Sequence, residues 1–63
     1  MPLKVRDVIR LLEQNGWREI RTRGSHRHFK HPTKAELVTV PGAEGRELAV
    51  GTLNAILKKA GLR

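Results

Sequence analysis

Gly24-Ser25-His26-Arg27 is the stretch of this chain whose residue types and spacing suggest chemistry. Gly-Ser between two extended segments is a two-residue hairpin loop, with glycine at the first central position of a type II′ turn. Such a turn delivers His26 among Arg21, Arg23, Arg27 and Lys30. An imidazole exchanges protons near neutral pH and can act as a general base. Fixed guanidinium and ammonium groups stabilise charge that develops at phosphorus. RNA carries the remaining part, a 2′-hydroxyl that can attack its own phosphodiester once its proton is removed. Positive neighbours also favour the neutral imidazole that a base must be. A nucleic-acid binder that performs no reaction could carry the same cluster, and on these residues that alternative stays open.

A two-residue loop puts its flanking residues opposite each other, which fixes the expected register of strand 17–23 against strand 26–31. Arg23 then faces His26, Thr22 faces Arg27, Arg21 faces His28, Ile20 faces Phe29 and Glu19 faces Lys30. Ile20 and Phe29 form an apolar cross-strand pair, and Glu19 and Lys30 an opposite-charge pair. The Ile20–Phe29 side is the expected core side. The other side carries Arg21, Arg23, His26, His28 and Lys30. His26 is the candidate base, and a candidate acid as well. Arg23 and Lys30 are the candidate phosphate-steadying groups, with Arg21 and His28 in support. His28 is a second candidate source of the leaving-group proton, which water could supply instead. Gly24 and Ser25 present the site, and a hairpin tip projecting away from the helices would admit an RNA strand. Phe29 reads as core, Trp17 as a staple between helix and sheet, and His31 as having no part in the chemistry. His26 and His28 alternate on a strand as two zinc ligands might, but the chain has no cysteine and its arginines oppose a bound cation. No metal and no other cofactor is expected.

The elements that must position this turn follow from periodicity. Val5, Val8, Ile9 and Leu12 make one apolar stripe over a helix at 4–15, which Asn15-Gly16 ends. Lys4 is a poor N-cap, having no side-chain acceptor. Pro32-Thr33-Lys34 makes the second turn, and 35–40 is a third strand with Val38 and Val40 inward. Pro41 to Gly51 reads as a loop. Leu53, Ile56, Leu57 and Ala60 make the stripe of a second helix at 52–60, capped by Gly51 or Thr52 and closed by Gly61. The order α-β-β-β-α gives an α+β fold, a three-stranded antiparallel sheet with both helices on one face.

Bulk properties narrow the class. A chain of 63 residues is one domain, 1–63, with a small core. The lack of cysteine excludes a disulfide scaffold. No apolar run approaches the roughly 20 residues that span a bilayer, and no secretory leader is recognisable, so a soluble cytoplasmic protein with no membrane partner is expected. Net charge is +7, with +6 of it in residues 1–34. Such a balance favours a polyanion, since neutralising phosphates releases condensed counterions.

The segment RGSHRHFKHP (23–32), then VTVP (38–41) and GTLNAILKKAGL (51–62), resembles the HicA-type toxins of bacterial toxin–antitoxin pairs. The opening helix ending in Asn15-Gly16-Trp17 is similar as well, so the resemblance covers nearly the whole chain. It implies a fold like that of double-stranded-RNA-binding domains and an mRNA interferase that cleaves RNA and blocks translation. It places the family's catalytic histidine at His26. It also implies a HicB-type antitoxin that covers this histidine and represses the shared promoter through its own DNA-binding part, so no direct DNA binding is expected of this chain alone. The loop before the last helix often carries basic residues in the family, whereas here Glu44 and Glu47 accompany a single Arg46.

Overall fold

In the computed structural model, which describes residues 3–62, the elements run α1 (Val5–Gln14), β1 (Arg18–Arg23), β2 (His26–His31), β3 (Lys34–Val40) and α2 (Val50–Lys59). The strands form one antiparallel sheet in the order β1-β2-β3. One cluster of buried side chains joins both helices to one face of that sheet. Val5, Val8 and Leu12 come from α1, Phe29, Val38 and Val40 from the sheet, and Leu53, Ile56 and Ala60 from α2 and its cap. Trp17 and Leu48 complete it. The α-β-β-β-α order and the two helices on one face therefore stand as the sequence predicts.

Both helices stop in the same way. At the end of α1, Gly16 N–H donates to Glu13 O and Trp17 N–H to Leu12 O; at the end of α2, Gly61 N–H donates to Lys58 O and Leu62 N–H to Leu57 O. These are two Schellman motifs, each with glycine at positive φ and an apolar residue after it. Asn-Gly-Trp and Ala-Gly-Leu are thus one device used twice. The residue after each glycine turns back onto the core, which is why Trp17 is buried.

The start of α1 has an external solution. Lys4 offers no acceptor, and its own N–H is taken by the Asp7 carboxylate at 3.1 Å. The orphan N–H groups of Val5 and Arg6 donate to Arg46 O and Glu44 O of the loop. Leu48 N–H donates to Leu3 O, and Lys4 bridges to Glu47. The loop is thereby fastened along the N-terminus of α1. The second helix begins at Val50, two to three residues earlier than Gly51 or Thr52 as caps would allow; Ala49 is its N-cap and makes no side-chain cap.

The expected strand register is correct near the turn and wrong beyond it. Arg23↔His26, Thr22↔Arg27 and Arg21↔His28 pair as predicted. A bulge then intervenes, so that Glu19 faces Phe29 and Arg18 faces Lys30. The Ile20–Phe29 and Glu19–Lys30 pairs do not form. Ile20 is 55% exposed, while Phe29 is fully buried. The bulge turns Glu19 to the side of Thr22 and Arg27, where it accepts hydrogen bonds from the Thr22 hydroxyl and the Arg27 guanidinium. One extra residue in β1 therefore gives the two polar residues of core-side parity a carboxylate partner at the sheet's rim.

Candidate active site at the hairpin turn

Gly24 has φ +58°, and among the described residues none other than glycine has positive φ. Positive φ at the first central position alone is the pattern of a type II′ turn, as Gly-Ser predicts, and excludes type I′. The turn sends the chain back so that His26 stands directly across from Arg23. The imidazole is exposed.

The tip does not project clear of the helices, contrary to expectation. His26 forms part of the wall between two concavities at the end of the sheet. One, of about 350 Å³, runs between β3 and α2 and is lined by Val38, Thr39, Pro41, Thr52, Ala55, Ile56 and Lys59 besides His26. The other, of about 280 Å³, lies toward the α1 N-terminus, with Ser25, Pro41, Gly42, Arg46, Glu47, Val5 and Leu48 around it. The reason is the short β3–α2 connection. It returns past the hairpin end to cap α1, and carries α2 alongside.

The other predicted site residues fall into two places. Arg21, Arg23 and His28 line one concavity of about 380 Å³ on the open sheet face, together with Ile20 and Leu37. His28 is half-buried there, its Nδ1 2.9 Å from the Thr39 hydroxyl on β3. Lys30 lies four residues beyond His26 on the same strand, roughly 13 Å by strand rise, beside Arg18, Ile20, His31 and Pro32. The fold therefore keeps Arg23 next to His26 and separates Lys30 from it.

Two cations that periodicity places elsewhere line concavities shared with the imidazole instead. Lys59, which reads in sequence as a helix C-terminal residue suited to the dipole, shares the β3–α2 groove with His26. Arg46, the lone base of the acidic loop, shares the second concavity. The loop's carboxylates have structural partners. Glu44 pairs with Arg27 at 3.0 Å, and Glu47 is held through its backbone, in an antiparallel bridge to Lys4. Only the path of the chain after β3 reveals Lys59 and Arg46 as neighbours of His26, since they are 33 and 20 residues away.

His31 is occupied structurally. Its Nδ1 accepts the Thr33 N–H at 3.1 Å, which makes Nε2 the donor to Asn15 O at 3.0 Å. Its ring also meets Trp17 edge-on, with centroids 5.3 Å apart. This ties the end of α1 to the end of β2. Among the described residues, no three His, Cys, Asp or Glu side chains gather as metal ligands would, and no helix is long and apolar enough to cross a membrane.

Comparison with known proteins agrees with the architecture. A family model described as the HicA toxin of bacterial toxin–antitoxin systems matches residues 5–62. No curated protein matches the chain.

Proposed function

The chain belongs to the HicA toxin family of bacterial toxin–antitoxin systems, and from that premise we propose that it is a metal-independent endoribonuclease acting on mRNA in the cytoplasm, with His26 as its general base. As a member of a toxin–antitoxin pair it has an antitoxin partner. The observation that carries the proposal is the placement of one exposed imidazole opposite Arg23 and at the junction of the Lys59 and Arg46 concavities. A proton acceptor and cations from three separate elements thereby converge on a place that a phosphodiester can enter.

The reaction follows from those groups. His26 takes the 2′-hydroxyl proton, and the 2′-oxygen forms a bond to phosphorus. The bond from phosphorus to the 5′-oxygen breaks, and that oxygen leaves with a proton from the imidazolium or from water. Arg23, with Lys59 or Arg46, stabilises the charge on the non-bridging oxygens. The products are a 2′,3′-cyclic phosphate and a 5′-hydroxyl. His28, held by Thr39 on the open face, contributes to RNA binding with Arg21 and Arg23. The partner in this reading is a HicB-type antitoxin that covers His26.

His26→Ala tests the reading directly. Cleavage falls by about 10²–10⁴-fold, the range for a lost general base, and RNA binding is retained. Growth arrest on expression in bacteria disappears with it. A 2′-deoxy group at the scissile nucleotide blocks cleavage, and a chelator does not. Unchanged cleavage by the variant would remove His26 from the mechanism. Binding without cleavage by the wild type would make the chain an RNA-binding module of the same fold.

A further inference from the structure

The groove between β3 and α2 has no role in the proton transfer itself. It begins at His26, and its floor is aliphatic: Val38, Pro41, Ala55 and Ile56. Thr52 supplies a hydroxyl and Lys59 an ammonium, while the Thr39 hydroxyl is engaged by His28. An aliphatic floor with a few polar groups is the chemistry of a small-ligand site, and about 350 Å³ falls at the small end of the usual range of roughly 300–1,000 Å³.

The need for such a place comes from the core. Proteins that read single-stranded RNA usually stack its bases on exposed aromatic rings. This chain has one Trp, one Phe and no Tyr. Trp17 is 1% exposed and Phe29 0%. Folding therefore consumes both large aromatics, and a base beside the scissile phosphate must find another apolar surface. The second concavity at His26 is less suited to a base, because its wall is more polar, with Ser25, Arg46 and Glu47 in it. The open-face concavity is cationic but is not lined by His26.

We propose that the β3–α2 groove is the nucleotide-binding subsite of this enzyme: the base next to the scissile phosphate lies on Val38, Pro41, Ala55 and Ile56, Thr52 meets its polar edge, and Lys59 holds the adjoining phosphate. The proposal rests on the nuclease reading above. It makes α2 a determinant of cleavage specificity, and it directs the RNA across the β3 edge of the molecule.

The absence of cysteine in the natural sequence makes a clean test available. Ala55→Cys places the sole thiol in the groove, at an exposed helix position. Gln14→Cys places it on an exposed turn of α1 that lines none of these concavities. The alkylation rate of each whole protein is measured with and without a saturating 2′-O-methyl trinucleotide, which binds but lacks the nucleophile. We expect the trinucleotide to slow alkylation at position 55 by at least tenfold and at position 14 by less than twofold. Thr52→Cys serves as a second groove position should Ala55→Cys lose its helical circular dichroism. Protection at position 14 alone, or equal protection at both, overturns the subsite. So does absence of protection in the groove while wild-type protein still cleaves RNA. A chain that neither binds nor cleaves RNA defeats the nuclease reading and the subsite together. As a kinetic companion, Thr52→Val changes the preferred base at one position relative to the cut, with KM rising and kcat for the best substrate within about threefold. An unchanged preference counts against the hydroxyl as a reader of the base.

Discussion

The glycines of the two tight turns carry different constraints, and substitution separates them. At Gly24 an added Cβ meets nothing within 4 Å, so the cost of alanine is backbone strain alone. Holding an L-residue at φ +58° costs about 1–2 kcal/mol. At Gly16, φ is +92° and an added Cβ would lie 2.8 Å from His31 Nε2. Gly16→Ala is therefore the more destabilising change in urea denaturation, because it also breaks the His31 link to Asn15. Gly45→Ala, in open space without positive φ, is the near-neutral control. Glu19 gives a pH-dependent outcome. The Thr22 hydroxyl, and then the Arg27 guanidinium, hold its carboxyl below the ordinary value of 4.5, against opposing desolvation. A carboxylate whose folded pKa lies below its unfolded one adds stability that is fully present above the unfolded pKa and is lost as pH falls through the folded value. The melting temperature of the wild type thus declines as pH drops from about 5. Glu19→Gln melts lower than wild type at pH 7, and its acid decline is shallower.

At the scale of elements, the bulge in β1 decides which residues of the hairpin matter for stability. Alternation makes Ile20 a core residue, and the extra residue moves it out. Ile20→Thr is accordingly expected to change unfolding free energy by no more than about 0.5 kcal/mol. Phe29→Ala costs about 3–5 kcal/mol, the range for a buried aromatic, and leaves little of the stability of so small a domain. Comparable losses for the two would mean that the paired register forms in solution. The bulge was not legible because period-two patterning shows only which residues suit a face. In the structure the extra residue sets Glu19 beside Thr22 and Arg27, side chains that alternation does not show as its partners. The helix ends, by contrast, were legible to the residue. Glycine at C′ followed by an apolar residue specifies the Schellman closure by local backbone chemistry alone.

For the whole molecule, the distribution of charge and the position of the site separate. Most of the net charge of +7 lies in the N-terminal half, yet two of the cations that share a concavity with His26, Arg46 and Lys59, lie in the other half. If Arg23, Arg46 and Lys59 neutralise three phosphates, log K for a short single-stranded RNA falls with log salt concentration at a slope of about −2. Lys59→Gln reduces that slope by about 0.7, whereas Lys30→Gln, remote from His26, leaves it nearly unchanged for a trinucleotide. The sequence by itself determined the order of elements, the turn type, the helix stops and the family resemblance. Each of these is written in contiguous residues, through φ preferences, apolar period and a short motif. Tertiary structure alone decided where the cations stand, how β1 shifts against β2, and that the hairpin tip meets a groove. Those outcomes depend on a loop that returns from β3 to satisfy the free N–H groups of α1, and in doing so sets α2 beside the histidine. No local pattern encodes a contact made by such a return path.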